Sequence, residues 1–154
     1  MTFRFVCIGL YFTVFLSMTA GCGFNETENL DAEFQQRLDN ARAVWQAQEL
    51  DNYTLRYERL MGQDGRTITS TVRADTILEA TNSQGQSVPA ANALTVEQYF
   101  AVIEDNIGRD HDRFAVDFSD DRGYPLQLFV DNDGTANDEV INTLDLIDAA
   151  DNER

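Results

Sequence analysis

Residues 95–108, TVEQYFAVIEDNIG, decide the fold because they predict the best-defined element of the chain. Thr95, followed three residues later by Gln98, is the capping-box pattern of a helix start. Apolar residues then recur at steps of three and four, which places them on one helical stripe: Val96, Tyr99, Phe100, Ile103 and Ile107. Gly108 suits the position just after a helix. We therefore predict an amphipathic helix whose apolar side needs a partner surface.

Alternating segments flank this helix on both sides. Their period of two predicts strands over residues 53–61, 67–73, 77–81, 114–118, 126–130 and 140–147. The last of these segments is the least regular, but its Ile, Val and Thr residues favour a strand over a helix. An earlier helix, with Asn29 as its N-cap, is predicted from the apolar stripe Leu30, Phe34, Leu38, Ala41 and Trp45.

The predicted order is α-βββ-α-βββ. This order predicts an α+β fold of two layers, in which an antiparallel sheet of about six strands carries both amphipathic helices on one face. The single domain is expected over residues 30–148. Residues 149–154 are predicted to be an acidic tail that frays.

The first 21 residues predict a targeting segment. Arg4 precedes an apolar run over residues 5–16, and the run is followed by small residues, Thr19, Ala20 and Gly21. This is the layout of a secretory signal peptide. A transmembrane anchor would need about 20 apolar residues, and the run is shorter than that.

The sequence Thr19-Ala20-Gly21-Cys22 resembles the bacterial lipobox, in which cleavage falls between Gly21 and Cys22 and the cysteine is lipidated. It departs from the usual pattern at Thr19, where leucine is most common. A diacylglyceryl group plus a further acyl chain would anchor Cys22 stably to a membrane. Secretion without lipidation and retention of the segment as a helix are the alternatives.

The resemblance to the lipobox also implies a location. Residues 22–29 would be the lipidated cysteine and a short tether to the domain. Gly23 stands where an aspartate typically retains lipoproteins in the inner membrane. The resemblance therefore implies a lipid-anchored protein of the cell envelope, at the outer membrane and facing the periplasm.

The charge balance excludes several classes of function. The chain has 27 acidic residues and 11 cationic ones, all of them arginine, and a formal net charge of −16. This balance excludes nucleic-acid binding through cationic contacts to phosphate, and the lack of lysine excludes Schiff-base and P-loop chemistry. Two cysteines and one histidine are too few for a zinc or iron–sulfur site.

Removal of the leader makes the chain more acidic. Residues 1–21 contain one arginine and no acid, so the formal net charge of −16 becomes −17. Acidic residues are concentrated towards the C-terminus. We expect this acidic end to point away from the lipid at Cys22, towards solvent or an envelope protein with a basic surface.

Two stretches carry a resemblance to a known family: LTVEQYFAVIEDNI at 94–107 and FAVDFSDDRGYPLQLFVDNDGTANDE at 114–139. They resemble the domain of unknown function 6174 family, bacterial envelope proteins of which many are described as lipoproteins. The matching positions are Tyr99-Phe100, Ile103, Val116-Asp117-Phe118, Gly123-Tyr124-Pro125, Val130-Asp131 and Asp138-Glu139. Trp45 and Asn52-Tyr53-Thr54-Leu55 extend the likeness, which runs from about residue 42 to residue 147.

The resemblance implies a fold and a location, but no chemistry. Many members of the family carry a Cys-x-Cys pair after the first strand, where this chain has Leu60-Met61-Gly62. A metal or redox role of that pair is therefore not implied for this chain. The family has no established activity to carry over.

The most suggestive candidate site is an acidic hairpin that contains Asp131, Asp133, Asp138 and Glu139. Calcium binds six or more oxygen ligands, and aspartates at the first and third positions of a loop could supply some of them. However, Gly134 is at the fourth position rather than the sixth, and Asn142 stands where a bidentate glutamate is needed. The same residues are typical of a solvated β-turn, so both interpretations stay open.

Other residues have a functional and a structural interpretation. Gly123-Tyr124-Pro125 could contact a ligand, but such residues are typical of a rigid turn that leads into a strand. His111 lies in a charged loop without a matching Ser or Cys nucleophile, so we do not expect it to be catalytic. Three aromatic residues could line a pocket, although their spacing favours the core: Trp45, Tyr53 and Tyr57.

These features predict a membrane-anchored envelope lipoprotein whose domain is not an enzyme but binds or modulates a partner. No sequence signature of a hydrolase, metalloprotease or nucleotide-binding loop occurs. No cofactor is expected besides the covalent lipid at Cys22. The alternative is a periplasmic protein that binds a small ligand or calcium through the hairpin from Asp131 to Glu139.

Overall fold

The structure is a computed structural model that describes residues 26–135 and 139–150. Within these residues the elements are α1 (Glu26–Ala47), β1 (Asn52–Met61), β2 (Asp64–Arg73), β3 (Thr76–Asn82), α2 (Val96–Glu104), β4 (Arg113–Phe118), β5 (Pro125–Asp131) and β6 (Val140–Ala150). A single 3-10 turn, Ala90–Asn92, precedes α2. The α+β class and the order α-βββ-α-βββ are confirmed.

All six strands form one antiparallel sheet in the order β3-β2-β1-β6-β5-β4. Each half of the chain forms a three-stranded meander, and the two meanders join through β1 and β6. In that central pair Tyr57 lies opposite Leu144 and Arg59 lies opposite Asn142. The strands that meet at the centre are therefore the first and the last along the chain.

Both helices pack on the same face of the sheet. On β1, alternate residues Tyr53, Leu55 and Tyr57 are buried, as the period of two predicts. They belong to one cluster with the buried side chains of both helices, namely Leu38, Ala41, Trp45, Val96, Tyr99, Phe100 and Ile103. This cluster is the main core. A smaller one, under the 3-10 turn, contains Ile68, Ala80 and Ala93.

The observed ends of the domain differ from the predicted ones. Helix α1 begins at Glu26 rather than after Asn29, and Leu30 is 54% exposed, so the first position of the predicted stripe does not reach the core. Strand β6 continues to Ala150, because Ala149 and Ala150 pair with the start of β1. The predicted tail therefore begins two residues later, and residues 151–154 lie outside the described residues.

The turn between β1 and β2 and the turn between β2 and β3 reach positive φ with different residue types. Between β1 and β2, Gly62 has a φ of 57° in a two-residue turn, where glycine adopts this conformation at little cost. Between β2 and β3, both turn residues have positive φ without glycine: Ala74 at 45° and Asp75 at 58°. Such a turn is costly for alanine, since an L-residue in this region loses about 1–2 kcal/mol.

The sheet has two ends, which differ in content. The end where β1 begins and β5 begins lies beneath Trp45 and is called the Trp45 end. The end where β1 finishes and β6 begins contains Arg59 and is called the Arg59 end. Phe34 in the first half of α1 packs on Phe114 near the first residue of β4. This contact places the start of α1 at the Arg59 end.

Candidate functional site

The carboxylates of the acidic hairpin bind to their own turn. Asp131 is buried, and its Oδ1 accepts a hydrogen bond from the backbone N–H of Gly134 at 2.8 Å. Asp133 Oδ1 accepts from the backbone N–H and from the hydroxyl of Thr135, at 3.0 and 2.6 Å. These are Asx-type interactions, which stabilise a tight reversal of the chain.

The structure brings Asp131 and Asp133 into one turn, but it does not test the full predicted set. Asp138 lies outside the described residues, and Glu139 precedes β6 at an intermediate depth. No three of the described His, Cys, Asp and Glu side chains come close enough together to hold a metal ion. Calcium binding by the complete hairpin therefore stays a prediction.

The hairpin lies next to the loop that connects α2 to β4. His111 contacts Asn132 beside it, and a Cβ added to Gly134 would lie 3.0 Å from the carboxylate of Asp112. The same loop reaches the first turns of α1, since a Cβ on Gly108 would lie 3.8 Å from Asp31. The α2–β4 loop therefore lies between this hairpin and the start of α1. The expectation that the acidic C-terminal end points away from the lipid at Cys22 stays a prediction, because Cys22 lies outside the described residues.

The Gly123-Tyr124-Pro125 turn docks on helix α1. Gly123 has a φ of +75°, and a Cβ there would lie 2.3 Å from the carbonyl oxygen of Ala41. Two backbone hydrogen bonds with Ser119 close the turn, and the ring of Tyr124 meets Trp45 edge-on with centroids 6.3 Å apart. The described contacts of this triplet are therefore packing contacts, and glycine is required by the close approach of two backbones.

A hydrogen-bond network at the Trp45 end joins α1, β1 and α2. Trp45 Nε1 donates to Glu97 Oε1 at 2.6 Å, and the hydroxyl of Tyr53 donates to Glu97 Oε2 at 3.2 Å. The same hydroxyl accepts from the backbone N–H of Val96 at 3.2 Å. Burial, and secondarily the charge of Glu97, raises the pKa of Tyr53 far above its ordinary value.

This network was missed from the sequence. Trp45 and Tyr53 were expected in the core, and both are buried there. In the sequence, Glu97 is recognisable only as an acidic residue in the first turn of a helix, which is a common arrangement. Three elements must pack together before that acid becomes the shared acceptor of an indole and a phenol.

A cavity of about 640 Å³ surrounds the loop that contains His111. It is lined by the start of α1, by the loop from α2 to β4 and by Phe114. His111 stacks on Phe114 with centroids 5.9 Å apart, and its Nδ1 lies 3.1 Å from Asn132 Oδ1. In this contact the Asn132 amide oxygen is the acceptor, so Nδ1 of His111 is the donor. The other ring nitrogen, Nε2, is buried and has no hydrogen-bond partner in the described part of the chain.

A second cavity, of about 370 Å³, lies between α2 and the core face of the sheet at the Arg59 end. Its apolar walls come from α2, β5, β6 and the segment before α2: Leu94, Val102, Leu128, Val130 and Val140. Its polar lining includes Tyr57 and Asn142, both buried, whose hydroxyl and amide oxygen form a hydrogen bond of 2.9 Å. Asn106 and Arg109 line both cavities, so the two adjoin.

One buried phenol, Tyr57, lines the second cavity, and a second, Tyr99, lies beside it with ring centroids 6.0 Å apart. Burial raises the pKa of Tyr57, and the positive charges of Arg59 and Arg66 act against this rise. Burial also raises the pKa of Tyr99 strongly, with the neighbouring Asn142 amide acting in the opposite direction. The hydroxyl of Tyr99 has no hydrogen-bond partner of good geometry among the described residues. Both groups therefore stay neutral at physiological pH and can act as donors.

The fold and these sites define a class of protein: a small two-layer α+β domain with an acidic surface and two adjoining cavities at one end of its sheet. The sequence matches the model of the family of unknown function DUF6174 over residues 37–148. The chain therefore belongs to that family. No curated protein and no solved structure gives a significant match.

Within the described ranges 26–135 and 139–150, no helix combines the length and apolar character needed to cross a bilayer. The predicted leader, with Gly21 and the lipidation residue Cys22, lies outside those ranges.

Proposed function

We propose that the chain is a lipid-anchored protein of the bacterial cell envelope, attached through Cys22 and exposed to the periplasm from the outer membrane. The observation that carries this proposal is the leader: a cationic residue, a short apolar run over residues 5–16, and then Thr19-Ala20-Gly21-Cys22. Two or more acyl chains on one cysteine supply the number of anchors that stable attachment requires.

Metabolic labelling with a palmitate analogue tests the anchor. The wild-type chain should be labelled and should fractionate with membranes, whereas Cys22→Ser should lose both properties. Cys7→Ser is the matched control, because Cys7 is the other cysteine of the chain and lies inside the predicted leader. Equal labelling of wild type and Cys22→Ser would overturn the proposal.

The domain on this anchor acts, in our proposal, by binding a protein partner rather than by catalysis. Its formal net charge of −16 favours a partner with a basic surface. The only histidine of the sequence, His111, is engaged by Asn132 and Phe114, and no serine or cysteine is among the residues that line its cavity. This arrangement lacks the paired nucleophile and base that covalent hydrolysis needs.

Cross-linking in intact envelopes tests the interaction. A reproducible protein partner should co-purify with the wild-type chain, and its yield should fall as salt is raised, because screening weakens contacts between exposed charges. Cys22→Ser separates the role of the anchor from that of the domain, since the soluble variant should still bind the purified partner. Recovery of a clean monomer with a bound small molecule would contradict a protein-binding role.

The second candidate is calcium or small-ligand binding by the hairpin from Asp131 to Glu139. The observation that favours it is the placement of Asp131 and Asp133 in one turn. Calcium should then raise the melting temperature of the wild-type chain, and Asp131→Ala should abolish that rise. Asp117→Ala, on the exposed side of β4, is the control. No shift at millimolar calcium removes this candidate.

A further inference from the structure

The 370 Å³ cavity at the Arg59 end contains two arginines without acidic partners. Arg59 and Arg109 line it, and neither forms an ion pair within the described residues. The sequence has 27 acids and 11 cations, so a cation that forms no ion pair is the less expected case. Their exposure increases outwards, with Arg59 half-buried and Arg109 exposed, which places Arg109 nearer the mouth.

Arg59 is also held next to a third arginine. It lies directly opposite Arg66 across the β1–β2 pair, and like charges at such positions destabilise a sheet. Both side chains line an adjoining depression of about 220 Å³ together with Asp64, yet Asp64 forms no ion pair with either of them among the described residues. Neither Arg59 nor Arg66 therefore has an ion-pair partner in the described part of the chain.

Buried polar groups line or adjoin the inner part of the cavity. Asn142 is only 5% exposed, its amide oxygen accepts from Tyr57, and its amide also acts on the neighbouring Tyr99 hydroxyl, whose pKa it lowers. The hydroxyl of Tyr99 has no hydrogen-bond partner of good geometry among the described residues. Buried polar groups are normally satisfied, and each one left unpaired has an energetic cost.

We propose that this cavity binds a small organic carboxylate, with its apolar body between the Val and Leu walls and its carboxylate against Arg59 and Arg109. The volume lies in the range of pockets that hold small ligands, which are mostly apolar with a few convergent polar groups. Arginine matches a carboxylate with two parallel hydrogen bonds. The site does not involve the lipid anchor, and it adjoins the acidic hairpin through Asn132.

The apolar walls decide the class of ligand. An inorganic anion could use the arginines but would leave five apolar side chains facing water, whereas a neutral apolar molecule would leave the arginines unpaired. A carboxylate on a hydrocarbon or aromatic body uses both parts of the cavity.

Titration of the full-length ¹⁵N-labelled chain in detergent micelles, followed by NMR, tests this site with 3-phenylpropionate, its neutral analogue 3-phenylpropionamide, and inorganic phosphate. The carboxylate should shift the amides of residues that line the cavity, such as Val102, Leu128 and Val140. The amide analogue and inorganic phosphate should bind at least about tenfold more weakly, because a charge-assisted pair with arginine is lost or the apolar contact is absent.

Variants locate the binding to the two arginines. Arg59→Gln and Arg109→Gln should each weaken 3-phenylpropionate binding by about tenfold, and Arg59→Lys should have an intermediate effect because it keeps the charge without the planar fork. Arg73→Gln, on β2 at the Trp45 end, is the matched control and should bind as wild type. Melting curves of each variant confirm that the fold is intact.

Several results would overturn the proposal. Equal binding of the carboxylate and its amide would show that the arginines do not recognise the ligand. Shifts confined to other regions would place the site elsewhere. The absence of any shift at about 10 mM, where millimolar dissociation constants are visible, would mean that the cavity does not accept this class of ligand.

Discussion

The Trp45 end and the Arg59 end of the sheet are built from the same strands but satisfy their polar groups very differently. At the Trp45 end, an indole and a phenol converge on Glu97, and Gly123 lets a turn pack on α1. At the Arg59 end lie the two cavities, a pair of opposed arginines and the unpartnered Nε2 of His111. Polar groups that lack hydrogen-bond or ion-pair partners are expected mainly at functional sites. The comparison is consistent with our proposal that the Trp45 end stabilises the fold and the Arg59 end binds a ligand.

The largest loss of stability is expected in the turn at Gly123, which packs on α1. Gly123→Ala should lower the free energy of unfolding by about 3 kcal/mol or more, because it combines a left-handed residue with overlap against backbone atoms of Ala41 and Trp45. Urea unfolding measures it. Gly85→Ala is the control: Gly85 has a similar φ of +74°, but nothing lies within 4 Å of its added Cβ. Equal losses in the two variants would show that the contact with α1 is unimportant.

The next effect concerns the network on Glu97. Tyr53→Phe should lower the free energy of unfolding by about 2 kcal/mol, since it removes one donor to Glu97 and leaves the N–H of Val96 without its acceptor. Tyr57→Phe, which loses a single hydrogen bond to Asn142, should cost less. A larger loss for Tyr57→Phe would reverse the assignment of stability to the Trp45 end.

The free energy of unfolding should also depend on Tyr53 at alkaline pH. The ordinary pKa of a tyrosine is 10.0, and burial raises that of Tyr53 in the folded state. The folded state then holds a proton that the unfolded chain has lost, so stability is fully present below pH 10 and falls as pH rises above it. The expected slope is about 1.4 kcal/mol per pH unit for each such tyrosine. Tyr53→Phe should reduce the slope of the unfolding free energy by that amount.

The smallest effect, and the one of opposite sign, is expected at the Arg59 end. Arg59→Gln should leave the free energy of unfolding unchanged or raise it by up to about 0.5 kcal/mol, because it relieves the repulsion with Arg66. Arg73→Gln should lower it slightly, since Arg73 donates to Asn52 at 3.0 Å. Differential scanning calorimetry on both variants compares the signs. A marked loss in Arg59→Gln would mean that Arg59 stabilises the fold rather than a ligand.

Local patterns predicted the elements because each depends on neighbouring residues. The capping box of α2 is present, with Thr95 Oγ1 accepting from the N–H of Gln98 at 3.2 Å. The turn at Gly62 also follows from residue type. The turn at Ala74 and Asp75 is reached without the usual glycine, and its position was predicted only from the strands that flank it.

Long-range features were not predictable in the same way. The pairing of β1 with β6 joins residues such as Arg56 and Asp145, and no sequence period specifies which strand of the second meander meets the first. The second cavity is assembled from β1, α2, β5 and β6, so its residues form no linear motif. The one indication of this cavity in the sequence is Arg59, one of the few cationic residues, at a core-facing position of a strand.

The position of the start of α1 has a consequence for how a ligand would arrive. The four residue steps from a lipidated Cys22 to Glu26, across Gly23, Phe24 and Asn25, span at most about 14 Å. Leu30 and Asp31 of that helix line the first cavity, which adjoins the second. With the anchor proposed here, both mouths would stay close to the headgroups. An amphipathic carboxylate that has partitioned into the leaflet would then reach Arg109 by lateral diffusion within the membrane plane, at a local concentration set by the lipid rather than by the bulk periplasm.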